Sequence, residues 1–185
     1  NTSENAIGAV VSVIGAALTP EPAVSRGFTI ERSYYTLDGK LVDLKSASGG
    51  KAEIKQNERL VAVVKVSAPE TGGRILLVDR LPAGLEIENP RLVDSGSVKG
   101  LDWLKATVEP EHTEFRDDRF VAAFDFFGGN TRRRGGDGDD ADKTPKSSAT
   151  VAYMVRAVTP GSFVHPAATV EDMYRPDRHA HREPD

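Results

Sequence analysis

Val155 to Pro176 reads VRAVTPGSFVHPAATVEDMYRP. An apolar run stops at Thr159-Pro160-Gly161, the short segment Ser162 to Val164 follows, and His165-Pro166 interrupts it. A second run, Ala167 to Val170, delivers Glu171, Asp172, Met173, Tyr174 and Arg175 against Pro176. Pro-Gly is a turn signal, and each proline removes a ladder donor, so the prolines punctuate strands rather than sit in helices. The stretch predicts strand, turn, strand, with a thioether and a phenol at the exit.

Similar strand signals recur upstream. Phe28, Ile30, Arg32 and Tyr34 form one face of an alternating strand, and Thr29, Glu31, Ser33 and Tyr35 the other. Leu37-Asp38-Gly39-Lys40 supplies an Asp-Gly hairpin turn, and Leu41 to Lys45 reads as the return strand. Arg59 to Ser67 (RLVAVVKVS), Arg74 to Leu81 (RILLVDRL) and Leu85 to Ile87 read as strands closed by Pro and Gly turns. A polar strand is expected near Lys105 to Glu109, after Trp103. Arg119 to Phe127 and Thr150 to Val158 are apolar on both faces and so read as central strands. Spacings of about 10 to 15 residues between runs argue for an all-β fold, an antiparallel sandwich of macroglobulin-like or Ig-like type.

The flanks differ in character. Residues 6 to 18 (AIGAVVSVIGAAL) are rich in Val and Ile, with Gly8 and Gly15 against a helix, and are expected to form a strand. Thr19-Pro20-Glu21-Pro22 is a stiff linker. Residues 1–25 are therefore expected to be an N-terminal strand and linker from a preceding domain, residues 26–176 the sandwich, and residues 177–185 a flexible tail. Gly128 to Ser148 is long, polar and low in complexity, with few apolar groups to offset the entropy of ordering it.

Composition narrows the chemistry. The 185 residues carry a net charge of -4, which leaves no electrostatic footprint for nucleic acid. There is no cysteine, so a disulfide, a thiolate nucleophile, a thiolate zinc site and a thioester made within this chain are all excluded. The longest apolar run, about 13 residues, falls short of the roughly 20 that a spanning helix needs. No cofactor is expected, nor contact with a membrane by this segment.

Catalytic and metal signatures fare poorly. No nucleophile elbow, phosphate loop or dinucleotide fingerprint occurs. Gly135-Gly136-Asp137-Gly138-Asp139-Asp140 fits the opening of a calcium-binding nonapeptide, but the apolar position of that repeat falls on Asp142. It reads as a solvated loop. His179 and His181 are spaced for one strand face yet lie in the expected tail without a third ligand nearby, and His165 before Pro166 reads as a turn residue. Arg116-Asp117-Asp118-Arg119 reads as a charged turn before the Phe120 strand. No enzyme is expected, so there is no catalytic and no metal residue to name. Met173 and Tyr174 remain. By pattern they are edge packing with Tyr174 as an anchor of the tyrosine-corner kind, or a low-entropy contact surface for another domain.

Four stretches resemble bacterial alpha-2-macroglobulins in their C-terminal macroglobulin-like domain. They are Val78 to Pro90 (VDRLPAGLEIENP), Arg116 to Arg119 (RDDR), Val155 to Gly161 (VRAVTPG) and Val170 to Pro176 (VEDMYRP). They occur in the family's order, and the similarity covers Gly27 to Pro176. The resemblance implies a broad-spectrum protease inhibitor, a trap of the periplasm and cell envelope, with any inner-membrane anchor belonging to the parent protein. It implies that bait cleavage exposes an internal thioester that captures the protease. The partners implied are the thioester domain, the other domains of the parent and, through the parent, target proteases. The family's thioester-shielding pair matches Met173 and Tyr174. The long Gly128 to Ser148 loop is unusual for the family, and residues 6 to 18 fit a strand left without its neighbours. The expectation is therefore a non-catalytic lid domain; the alternative is a generic extracellular or periplasmic Ig-like scaffold or adhesion module, which has no need of a lid at Met173 and Tyr174.

Overall fold

The computed structural model describes residues 6, 8, 10–15, 21–44, 53–88, 110–126 and 147–182. Among these residues there is no helix, and two antiparallel sheets face each other across one core. The first sheet holds β1 (Val24–Arg26), β5 (Arg74–Arg80), β7 (His112–Phe115), β8 (Arg119–Asp125), β10 (Thr169–Asp172) and β11 (Arg175–His181), in the order β1-β11-β10-β5-β8-β7. The second holds β2 (Thr29–Thr36), β3 (Leu41–Val42), β4 (Arg59–Ala68), β6 (Leu85–Glu88) and β9 (Ser147–Ala157), in the order β3-β2-β4-β9-β6. This is the β-sandwich that the spacing of the strand runs predicts.

Period-two patterning places the core. Ile75 and Leu77 of β5 and Phe120 and Phe124 of β8 point inward from the first sheet, against Leu60 and Val64 of β4 from the second. Burying each such side chain contributes roughly 1.5 to 3 kcal/mol. The Asp-Gly turn forms as expected: Gly39 donates to the Thr36 carbonyl at 2.9 Å, and its φ of 78° is one a side chain resists. The Arg116 to Arg119 turn also forms between β7 and β8, closed by the Arg116 N–H on the Arg119 carbonyl at 2.9 Å. Its ion pairs, Arg119 with Asp118 and Arg116 with Glu114, are largely exposed and worth little each.

The flanks need correction. Val24 and Ser25 belong to the sandwich, since β1 pairs with the far end of β11, Val24 opposite His181. Asp177 to His181 are not a loose tail but most of β11, paired to both β1 and β10. The ladder runs from Asp172 opposite Arg175 to Glu171 opposite His179, so Pro176, Asp177 and Arg178 form a bulge. A bulge is where a proline, with no N–H to give, fits in a sheet. The strand expected over residues 6 to 18 is absent from residues 10–15, where Val10, Val11, Val13 and Ile14 are exposed. A strand needs a partner edge, and none meets this segment among the described residues. The return strand after the Asp-Gly turn shrinks to Leu41–Val42. The expected strand near Lys105 to Glu109, Trp103 and residues 128–146 of the polar loop lie outside the described residues, while Ser147 and Ser148 open β9.

One polar cluster crosses the core. Arg32 on β2 donates from Nη1 to Asp79 Oδ1 on β5 at 2.7 Å and to the Pro166 carbonyl at 3.0 Å. The Tyr153 hydroxyl on β9 donates to Asp79 Oδ2 at 2.6 Å, and its ring stacks on Phe120 with centroids 4.5 Å apart. The Arg32 and Asp79 side chains are 1% and 0% exposed. Burial works against the Arg32 charge, but Asp79 outweighs it and moves its pKa up. Burial, then the Asp79 charge, pushes the Tyr153 hydroxyl well above its ordinary value, so it stays a donor.

Removing one partner of a buried pair strands the other charge. Asp79→Ala is expected to lower the unfolding free energy by about 3 to 5 kcal/mol, read by urea denaturation. Replacing Arg32, Asp79 and Tyr153 together by Met, Leu and Phe is expected to recover most of that loss. A cost below about 1 kcal/mol for Asp79→Ala, the level of an exposed pair, contradicts the structural role.

Candidate functional site

Met173 and Tyr174 form the tip of the hairpin that joins β10 to β11. They are 53% and 72% exposed, among the most exposed large apolar side chains of the sandwich. Edge packing and a buried tyrosine corner are therefore not what this pair does; the buried tyrosines are Tyr34 and Tyr153. An exposed thioether beside an exposed phenol is costly to leave in water and cheap to order, because a short, held turn has little freedom to lose.

The turn is held from below. Both tip residues keep negative φ, since Asn57 is the one non-glycine residue with positive φ among the described residues. The turn is thus not of the primed kind that closes a tight hairpin unaided. Asp172 supplies what is missing. Its carboxylate is 1% exposed, and Oδ1 accepts the N–H groups of Tyr174 at 3.0 Å and Arg175 at 3.2 Å. Asp172 Oδ2 accepts from Arg175 Nε at 2.7 Å. Arg175 Nη2 reaches on to the Gly72 carbonyl at 3.0 Å, and the Met173 N–H donates to the Arg74 carbonyl at 2.8 Å.

The β4–β5 connection receives these contacts because it ends in Gly72-Gly73. At Gly73, with φ of 124°, a Cβ would stand 2.7 Å from Asp172 Oδ2 and 3.1 Å from Arg175 Nη2. Only glycine leaves room for the carboxylate in that conformation. Gly72 donates to the Phe126 carbonyl at 2.7 Å, and Phe126 donates back to Gly73 at 2.9 Å. The tip is tied in this way to the ends of β5 and β8. Burial alone pushes the Asp172 carboxyl up; the Tyr174 N–H, the Arg175 side chain and the Arg175 N–H outweigh it and hold the group below the ordinary carboxylate range.

The remaining candidates are accounted for elsewhere. His179 Nδ1 lies 3.0 Å from the Pro176 carbonyl across the bulge, and His181 Nε2 lies 2.8 Å from the Pro22 carbonyl. Among the described residues no three His, Cys, Asp or Glu side chains gather as a metal site. His165 is not a simple turn residue. It is buried and shares a hydrogen bond of 2.9 Å with the Tyr34 hydroxyl, its ring tilted on the Tyr34 ring. The acidic nonapeptide lies outside the described residues.

A family model described as the bacterial alpha-2-macroglobulin MG10 domain matches residues 27–133 and 140–177. An alpha-2-macroglobulin of Xylella fastidiosa is 35% identical over 159 residues, covering 80% of this chain and 8% of that protein. The Escherichia coli alpha-2-macroglobulin is 33% identical over 155 residues, with the same two shares. The crystal structure of Salmonella alpha-2-macroglobulin reacted with methylamine matches with a TM-score of 0.68 and 31% identity, over 91% of this chain and 9% of that one. The native Escherichia coli protein, from its domain MG7 to the C-terminus, matches with a TM-score of 0.66 and 29% identity, over 91% and 24%. This chain thus spans 8% of the length of the curated relatives.

Because the folded Asp172 pKa lies below the unfolded one, its contribution to stability is complete above about pH 4, the unfolded value, and is lost as pH falls through the folded pKa. The stability gap between the natural chain and Asp172→Asn is expected to be larger at pH 7 than at pH 3, by urea denaturation. A gap that widens on acidification contradicts the assignment.

Proposed function

Since the chain belongs to the bacterial alpha-2-macroglobulin family, as an MG10 domain, we propose that it is a non-catalytic part of a protease trap in which Met173 and Tyr174 shield a thioester on another domain until the bait is cleaved. The observation that carries the reading is the tip itself: two large apolar side chains, exposed and held at the end of a tied-down hairpin. A thioester is an activated acyl group that survives only where water and amines are kept out. A thioether and a phenol on a rigid turn form a cap of that kind, and a domain movement removes it. The thioester belongs to a different domain, because this chain has no cysteine.

The non-catalytic role has its own support. Arg32, Asp79, Tyr153 and His165, the polar cluster that crosses the core, are buried, with hydrogen bonds among themselves, to Tyr34 and to the Pro166 carbonyl. A substrate has no route to them without opening the sandwich. The proposed setting is the periplasm, where such a trap meets foreign proteases, with any inner-membrane anchor on the parent protein.

The test is methylamine uptake by the full-length parent before any cleavage. Met173→Ala with Tyr174→Gly is expected to raise the uptake rate on the order of tenfold or more, the factor that about 1.4 kcal/mol of lost protection represents. Uptake equal to that of the natural parent, with circular dichroism unchanged, overturns the shielding role.

A further inference from the structure

Resting on that reading, we infer that Asp172 and Arg175 are positioning residues for the shield, and that the Gly72-Gly73 turn is the anchor to which they lock it. Met173 and Tyr174 carry the apolar surface, but apart from the Met173 N–H on the Arg74 carbonyl their own backbone makes no bond to the main chain of a neighbouring strand among the described residues. They have no glycine, no proline and no primed-turn geometry to set the hairpin. The Asp172 carboxylate makes both N–H contacts on the C-terminal side of the tip, at 3.0 Å and 3.2 Å. The Arg175 side chain then bridges that carboxylate to the Gly72 carbonyl, spanning from the hairpin to the β4–β5 connection.

The burial pattern supports the assignment. Asp172 is 1% exposed although it adjoins two of the most exposed side chains of the sandwich. A carboxylate in that place is costly unless every oxygen is satisfied by donors. Three donors satisfy it, and two are the main-chain N–H groups that shape the tip. The arrangement separates the labour: the side chains of Met173 and Tyr174 supply the apolar surface, and the side chains of Asp172 and Arg175 hold the geometry. The bulge at Pro176 to Arg178 completes the frame, letting β11 regain its pairing with β10 after the turn.

Two readouts test this. In the 185-residue chain, amide hydrogen exchange at Tyr174 and Arg175 is expected to accelerate at least tenfold in Asp172→Ala, with β4 and β9 amides unchanged. Asp172→Asn, which keeps an oxygen for the two N–H groups but loses the charge facing Arg175, is expected to fall between Ala and the natural residue. Loss of protection throughout the sandwich, or none at the tip, overturns the inference. In the full-length parent, methylamine uptake before cleavage is expected to rise in the order natural, Asp172→Asn, Asp172→Ala. The last should come within a few-fold of the Met173→Ala, Tyr174→Gly variant. Gly73→Ala, whose Cβ intrudes on the carboxylate from outside the hairpin, is expected to act like Asp172→Ala.

The two failures are distinct. If the Met173→Ala, Tyr174→Gly parent takes up methylamine at the natural rate, the shielding reading falls and the exchange data alone judge the clamp. If that parent is fast while Asp172→Ala and Asp172→Asn stay at the natural rate, the shield stands and the positioning role falls.

Discussion

A charged pair at the centre of an apolar sandwich sets the terms for the rest of the fold. Arg32 and Asp79 face each other from opposite sheets at 2.7 Å, both shut off from water. The desolvation cost of each ion is several kcal/mol, and it is offset only when the pair meets in good geometry with its other polar atoms satisfied. Tyr153 satisfies the second Asp79 oxygen, and the Pro166 carbonyl takes a further bond from Arg32 Nη1. The consequence is a register lock. Sliding β5 by one residue turns Asp79 to the outer face and leaves Arg32 facing hydrocarbon. Hydrophobic burial stabilises many packings of two sheets; this pair tolerates one.

The lock reaches the Met173-Tyr174 tip through a single strand. β5 carries Asp79 near one end and pairs with β10 along its length, from Val78 opposite Thr169 to Ile75, near the other end, opposite Asp172. Whatever holds β5 in register also decides where Asp172, and with it Met173 and Tyr174, emerges. Two ion pairs thus lie near opposite ends of the same strand. One is buried in the core and specifies the sandwich. The other is half in solvent at Arg175 and shapes the exit. The apolar tip stands at the end of this frame, where a neighbouring domain can meet it.

Much of this is legible in the chain itself, because period-two alternation survives wherever a strand has one wet and one dry face. Alternation places β2, and apolar runs closed by turn signals place β4, β5, β8 and β9, to within a few residues. It even shows the buried pair in outline: Arg32 falls on the face of Phe28, Ile30 and Tyr34, and Asp79 on the face of Ile75 and Leu77. A charge on an apolar face asks for a partner, although sequence alone does not say which. The misses have physical causes. β7 is a short edge strand with a charged, half-wet pattern, and β11 carries a proline and one fully buried residue, Ala180, so neither shows alternation. Residues 10–15 show the opposite failure, a β-rich composition with no edge to pair. At the tip, Met173 and Tyr174 stand out through their resemblance to a family stretch rather than through any period. The Asp172 clamp has no signature at all, since it depends on a turn of glycines about a hundred residues away, with no sequence rule to link them.

The most direct measurement asks what the tip touches. A photoreactive phenylalanine analogue at position 174 of the full-length parent, irradiated before and after bait cleavage, reports its neighbour in each state. Crosslinks to the thioester-bearing domain before cleavage, lost afterwards, are the result this account predicts. Crosslinks to that domain in neither state, or equally in both, contradict it.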